Sequence, residues 1–189
     1  ALLANVNKDS KVLDICAGTG GFLISAMHRM FKSATTDAER NKIRKEGLIG
    51  VEQQPNMFAL AASNMILRGD GKANLYQGSC FDDAITAAIK NHGCDVAMIN
   101  PPYSQSDSDL HELRFIKHML DCLKVGGTGI AIVPMGCALN SDVLRAEILK
   151  EHTLEAVMSM SEQLFYPVGT VTCIMVFTAH KPHAMENRK

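Results

Sequence analysis

No uninterrupted apolar stretch in this sequence approaches the roughly 20 residues that cross a bilayer, although 47% of its residues are apolar. No membrane contact is therefore expected. The opening "ALLANVNKDS" lacks the basic start and long apolar core of a secretory signal and is expected to be the tail of a helix. The first residue is Ala rather than Met, so a fragment of a larger protein is expected. The cysteines at 16, 80, 94, 122, 137 and 173 form no C-x-x-C pair, and several lie in apolar runs where Cys packs as a small hydrophobe. A reduced, bacterial-type cytoplasm follows as the expected setting. The seven histidines include no H-x-x-x-H pair, so no metal is expected. A formal net charge of -1 gives no electrostatic footprint for nucleic acid, so any contact with DNA must come from a local patch or from a missing part. There is no internal repeat and no low-complexity linker. At 189 residues the chain is long enough for one domain with a substantial core.

What is present is an alternation of short β-rich runs with longer helical patterns. "KVLDIC" (Lys11 to Cys16), "GLIGVE" (Gly47 to Glu52), "KANLYQG" and "CDVAMIN" read as strands, and "TGIAIVP", "LEAVMSM" and "TVTCIMVF" follow. Between them, "FLISAMHRMF", "NMFALAASNMILRG" after Pro55, "DDAITAAIKNHG" and "SDVLRAEILKEH" read as helices, the last capped by Ser141 or Asp142. "DLHELRFIKHMLDCLKVGG" reads as a helix closed by Gly126 and Gly127. The charged stretch Lys32 to Gly47 is expected to be a solvated helix or loop, and the tail "AHKPHAMENRK" an exposed, frayed end. Parallel neighbours need crossovers, so this alternation predicts a doubly wound α/β domain with a mostly parallel sheet. Ligands of such sheets sit beyond the carboxyl ends of the strands, near the point where strand order reverses.

Candidate chemistry does fall at strand ends. In "DICAGTGGF" the first strand runs into Asp14, Gly18, Gly20 and Gly21 and then a helix opening at Phe22. Glycines there permit positive φ and let a ligand approach the backbone. The spacing is not G-x-G-x-x-G, and a carboxylate at Asp14 would repel a pyrophosphate, so a ligand with a cationic or amine-bearing end suits it better. Glu52 ends the second strand, where it can accept from both hydroxyls of a ribose. In "QGSCFDD", Ser79, Cys80, Phe81 and Asp82 offer the side of an adenine-sized slot, and Asp82 serves equally as a helix N-cap.

The stretch "CDVAMINPPYSQ" ends a buried strand with Asn100, Pro101, Pro102 and Tyr103. Two prolines cannot continue a central ladder, so the chain leaves the sheet and frees backbone carbonyls. The carbonyl of Pro101 and the side-chain oxygen of Asn100 can then face one substrate group. Two acceptors together suit a donor with two hydrogens, such as an exocyclic amine. Tyr103 offers a flat face for the ring bearing that amine, and base–aromatic stacking is worth about 1–3 kcal/mol.

In this order, "DICAGTGGF", "GVE", "INPPY" and "LFYPVGTVTCIMVF" resemble the N-6 adenine-specific DNA methyltransferases, most of all the modification subunit of type I restriction systems. The segment "LKVGGTGIAIVP" adds to the likeness, which covers nearly the whole chain. The group's first motif commonly reads D-P-x-C-G-x-G-G; here Ile15 stands for Pro and the cysteine is at position 16, while the D-x-x-x-G-x-G-G spacing is kept. The resemblance implies a class I, Rossmann-like fold with a seven-stranded sheet and an antiparallel last strand, and S-adenosyl-L-methionine as cofactor. Asp14, Cys16, Ala17, Gly18, Thr19 and Gly20 would line its methionine end, Glu52 would take the ribose hydroxyls, and Cys80, Phe81 and Asp82 would lie by the adenine. Asn100, Pro101, Pro102 and Tyr103 would form the catalytic loop, and Phe165, with Tyr166 as runner-up, a second wall against the target base. The implied substrate is double-stranded DNA with its adenine rotated out of the stack. Specificity and restriction subunits, or fused domains, are implied as partners. The segment before the first motif and a target-recognition region are expected to lie outside this chain. A protein-glutamine methyltransferase, ribosomal-RNA adenine methylation and a degenerate scaffold are the alternatives.

Overall fold

The computed structural model describes residues 1–69, 74–104, 111–140, 142–161 and 171–184. Seven strands form one sheet in the order β3-β2-β1-β4-β5-β7-β6. They are β1 (Val12–Asp14), β2 (Leu48–Glu52), β3 (Asn74–Gln77), β4 (Cys94–Ile99), β5 (Leu123–Pro134), β6 (Thr153–Ser159) and β7 (Thr172–Thr178). The strands from β1 to β5 pair in parallel, whereas β7 runs antiparallel to both neighbours, β5 and β6. The expected doubly wound sheet with its reversed last strand is the fold observed.

Alternation along the strands decides which helix goes where. Val12, Leu48, Met98 and Ile130 face one cluster, and Leu13, Ile49, Ile99 and Ala131 face the other, so both sides of the sheet are apolar and both must be covered. Helix α1 (Gly21–Ser33) turns Leu23, Ala26, Met27 and Met30 to the first cluster, a spacing that makes one helical face. Ile43 of α2 (Asp37–Glu46) and Met65 of α3 (Pro55–Leu67) join it there. The opposite face takes Ile89 of α4 (Asp83–His92), Leu113, Ile116, Met119 and Leu120 of α5 (Glu112–Asp121), and Ile148 of α7 (Val143–Glu151). A single-turn helix, α6 (Gly136–Leu139), follows β5. The charged stretch before β2 is folded as α2, fixed by a capping box in which Thr36 Oγ1 accepts from Glu39 N and Glu39 accepts from Thr36 N.

Three expectations from sequence need correction, and one alternative is decided. The opening residues are turns, not a helix tail, with Asn5 at φ 48°. Helix α5 ends at Asp121, and Gly126 and Gly127 lie inside β5: Leu123 pairs with Cys94, the next ladder partner, Thr128, pairs with Val96, and the extra residues bulge between. The cap of α7 is Asp142, which accepts from Leu144 N at 2.7 Å; Ser141 lies outside the described residues. The segment after β7 packs through residue 183, with Ala179 buried and His183 N donating to Leu149 O at 3.0 Å.

Because Leu13 is fully buried in β1, between β2 and β4, Leu13→Ala is expected to cost about 2–5 kcal/mol. Thr36→Ala, which removes only a cap on peripheral α2, should cost about 1 kcal/mol. Urea denaturation of the two variants checks the order.

Candidate active site

Strand order reverses between β1 and β4, and the carboxyl ends of β1, β2 and β4 open onto a cleft of about 530 Å3. At the end of β1, Asp14 is 1% exposed, and its Oδ1 accepts from Cys16 N at 3.0 Å, turning the chain out of the strand. Ala17 N reaches across to Val51 O at 2.9 Å. Gly18 and Gly20 then adopt φ of 53° and 83°, which non-glycine residues seldom hold. A Cβ at Gly18 would meet nothing within 4 Å, so the absent side chain leaves the backbone open to the cleft. Gly20 caps α1, and Asn64 Nδ2 of α3 donates to Thr19 O at 3.0 Å.

Glu52 fastens this loop. Its Oε2 accepts from Gly18 N and its Oε1 from Gln54 N, each at 2.8 Å. A carboxylate oxygen has about two acceptor sites, so each retains capacity toward the cleft. On β3's side, Gly78 N donates to Glu52 O at 3.0 Å and brings Cys80 to the wall. The Cys16 thiol is pushed up by its hydrogen bond with Cys80, by burial and by the carboxylates of Asp14 and Glu52. The Cys16 thiol is therefore no ionised nucleophile at neutral pH, while the same hydrogen bond draws the Cys80 thiol down against its burial.

Beyond β4, Asn100 is exposed and lines the cleft with Pro102, while Pro101 is buried beneath them. Of the residues singled out in the sequence, Cys16, Gly18, Glu52, Cys80, Asn100 and Pro102 share this one cleft, an arrangement of dispersed residues made by the fold. Asp14, Ala17, Thr19, Gly20, Phe81, Asp82, Pro101 and Tyr103 support it without lining it. Asp82 Oδ1 accepts from Ala84 N and Ile85 N, so the N-cap role is the one seen. Phe81 packs edge-on against Phe115 with ring centroids 5.0 Å apart, and it is Phe115 that lines the cleft. Sequence reasoning missed Phe115, along with Met57 and Pro55 of α3, because an apolar residue on a helix face reads as core whether it meets a sheet or a cleft. The Tyr103 hydroxyl is buried, and burial together with Glu112 and the thiols of Cys137 and Cys173 pushes it up to about 12. Phe165 and Tyr166 lie outside the described residues. The strand ends that flank them, Ser159 and Thr172, sit at the cleft edge of the sheet, since Thr172 pairs with Pro134 at the end of β5.

Among the described residues two further clusters gather metal-ligand side chains from separated parts of the chain: His111, Glu112 and Cys137, and Asp121, Glu151 and His152. Short-range spacing could not have revealed either. Neither borders the cleft.

A glycine loop held by a strand-end carboxylate, facing an Asn-Pro-Pro-Tyr loop across one cleft, defines the arrangement, and the sequence pattern of the N-6 DNA Methylase family matches residues 1–189. The chain belongs to that family. It is 42% identical over 199 aligned residues to the type II restriction enzyme and methyltransferase RM.BcgI of Heyndrickxia coagulans, covering all of this chain and 31% of that protein. It is 27% identical to the type I restriction enzyme StySPI methylase subunit of Salmonella potsdam, covering 88% of this chain and 36% of the subunit. The chain thus spans about a third of the length of these relatives. In fold it resembles the M protein of the type I restriction enzyme EcoKI, with a TM-score of 0.77 at 20% identity over 92% of this chain and 40% of that one. Among the described residues no helix is long and apolar enough to cross a membrane.

Burial raises Asp14 to about 7, overcoming the opposing hydrogen bond from Cys16 N, with Glu52 adding to the rise. The folded chain therefore holds this proton more tightly than the unfolded chain, where an Asp titrates near about 4. Stability contributed by the protonated carboxyl is expected to be full below about pH 4 and lost as pH rises through about 7. Unfolding free energies of the ligand-free chain and of Asp14→Asn, measured across this window, check the sign: the wild type should lose stability relative to the variant.

Proposed function

We propose that this chain is the catalytic domain of an S-adenosylmethionine-dependent methyltransferase acting on the exocyclic N-6 amino group of adenine in DNA, within a restriction-modification system of the bacterial-type cytoplasm. The observation that carries this reading is the presentation of Asn100, at the end of β4, on the same cleft as Gly18 and Glu52. Family and fold imply the cofactor, and the residues fit it. The volume lies within the roughly 300–1,000 Å3 usual for ligand clefts, the backbone at Gly18 is open, and Glu52 retains acceptor capacity where a ribose would lie. When bound, S-adenosylmethionine supplies an electrophilic methyl group.

The chain's own residues do the rest by position. Asp14, beneath the glycine loop, suits the amine-bearing end of the cofactor, with Cys16, Ala17, Thr19 and Gly20 shaping the loop around it. Cys80 and Phe115 provide the wall for the adenine of the cofactor, with Phe81 and Asp82 behind them. The Asn100 side-chain oxygen and the Pro101 carbonyl accept the two hydrogens of the target amine, which localises the nitrogen lone pair that conjugation with the ring would otherwise withdraw. Tyr103, and Phe165 from the other side, hold the base after it leaves the stack. No formal base is required before transfer, because the proton is shed only once nitrogen has gained its methyl group.

The relatives are restriction-system methylases by name, which favours DNA over a protein glutamine or ribosomal RNA as the amine donor. RM.BcgI is named as both restriction enzyme and methyltransferase, and the StySPI protein as a methylase subunit. Specificity and nuclease functions are accordingly proposed to accompany this domain, either fused to it or as separate subunits.

Calorimetric titration with S-adenosylmethionine should give saturable binding, NAD none, and Glu52→Ala an affinity at least about tenfold weaker, since a hydrogen bond to a charged group is worth about 1.5–3 kcal/mol. In the complete protein, Asn100→Ala should lower transfer of labelled methyl groups to adenine-containing DNA by about 10²-fold or more while cofactor affinity stays unchanged. Loss of cofactor affinity in Asn100→Ala would refute the assignment of the loop.

A further inference from the structure

Among the described residues Glu112 is the most buried acidic side chain after Asp14, 3% exposed, and it lies outside the cleft. A carboxylate taken from water must be hydrogen-bonded or paired. The first turn of α5 offers it the favourable end of a helix dipole. Its hydrogen bonds, however, run to a residue that follows the catalytic loop: Oε1 accepts from Ser104 N at 2.8 Å, and the Ser104 hydroxyl lies 3.2 Å from Oε1 and 3.1 Å from Oε2.

Ser104 is bonded directly to Tyr103. Pro101 and Pro102 have no N–H with which to fasten the loop to the sheet, so the Ser104 N–H anchors the chain just beyond them. The other end of the clasp is itself braced. His111 caps α5 by accepting from Leu113 N through Nδ1, which lies 3.8 Å from Glu112 Oε2, and His111 Nε2 lies 3.6 Å from Asp142 Oδ2. Asp142 in turn caps α7. The loop is thus tied to the first turn of α5, which packs on the sheet.

We propose that Glu112 is a positioning residue for the methyl-transfer step: its buried carboxylate holds Ser104, and through it Tyr103, Pro102, Pro101 and Asn100, in the register that receives the target amine. This rests on the function proposed above. Glu112 touches neither cofactor nor base, so its contribution is to rate rather than to cofactor affinity. A loop displaced by about 1 Å is enough to cost about 10²-fold in rate. The acceptor, not the charge, is what the clasp needs, and a Gln side chain retains an oxygen for the Ser104 N–H.

The test uses the complete protein with Glu112→Ala and Glu112→Gln. Three quantities are read: amide hydrogen exchange of the peptide carrying Ser104, affinity for S-adenosylhomocysteine, and kcat for labelled methyl transfer to DNA from a strain lacking adenine methylation. Glu112→Ala should speed exchange at Ser104 by about tenfold or more while β1 and β4 exchange as before. It should lower kcat by about 10²-fold with S-adenosylhomocysteine affinity unchanged, and Glu112→Gln should stay within a few-fold of the wild type in all three. Unchanged exchange at Ser104 in Glu112→Ala, equal loosening of β1 and β4, or a Glu112→Gln as impaired as Glu112→Ala would each overturn the proposal. Should the wild type transfer no methyl group to DNA, the function reading fails, and the exchange comparison still decides whether the clasp exists.

Discussion

Where β1 lies against β4, the chain reverses the direction in which it adds strands, and the connections that follow these two strands separate to opposite faces of the sheet. Everything at the site depends on that separation. The loop after β1 rises into α1 on one face, the loop after β4 leads to α5 on the other, and a gap is left between them at the carboxyl edge. The gap is a consequence of parallel pairing rather than of any residue that lines it. The register of β1 with β2 then brings Asp14 opposite Gly50 and leaves Glu52 just past the end of β1, within reach of the glycine loop.

Two carboxylates so close have different jobs because they have different surroundings. Asp14 is enclosed and carries its proton near neutrality; Glu52 is half-exposed and accepts backbone hydrogen bonds on both oxygens. The first is a latent charge held beneath the glycine loop, and the second is a scaffold for backbone with acceptor capacity to spare. Glu112 repeats the second role across the cleft, where it holds the segment after β4 as Glu52 holds the segment after β1.

The parts of this molecule legible in the sequence are those whose signal is local. Strand cores and the helices between them show in hydrophobic period, and the two loops at the strand ends show in their glycines and prolines. Gly126 and Gly127 misled because glycine marks a helix end and a strand bulge equally well. Phe115 and Glu112 were invisible for another reason: one is an apolar residue in an apolar helix face and the other an acid in a helix's first turn, both ordinary in sequence, and only the packing of α5 gives them a neighbour worth having. The segment after β7 looked like a frayed end because its polar residues carry no period, yet its histidines find partners on α7 and at the ends of β5 and β6.

The reversed seventh strand has an effect beyond closing the sheet. A parallel strand at that position would have required a crossover arriving at the edge remote from the cleft. Because β7 runs the other way, the link from Ser159 to Thr172 begins and ends at the cleft edge, beside the tip of β5. Entropy makes the closure of such a link only weakly sensitive to its length, each doubling costing about 0.6 kcal/mol. The length of this link can therefore change while the β1–β2–β4 register, and with it the glycine loop, stays untouched. One inverted strand thus sets a link at the cleft edge whose length is independent of the register beneath the cleft.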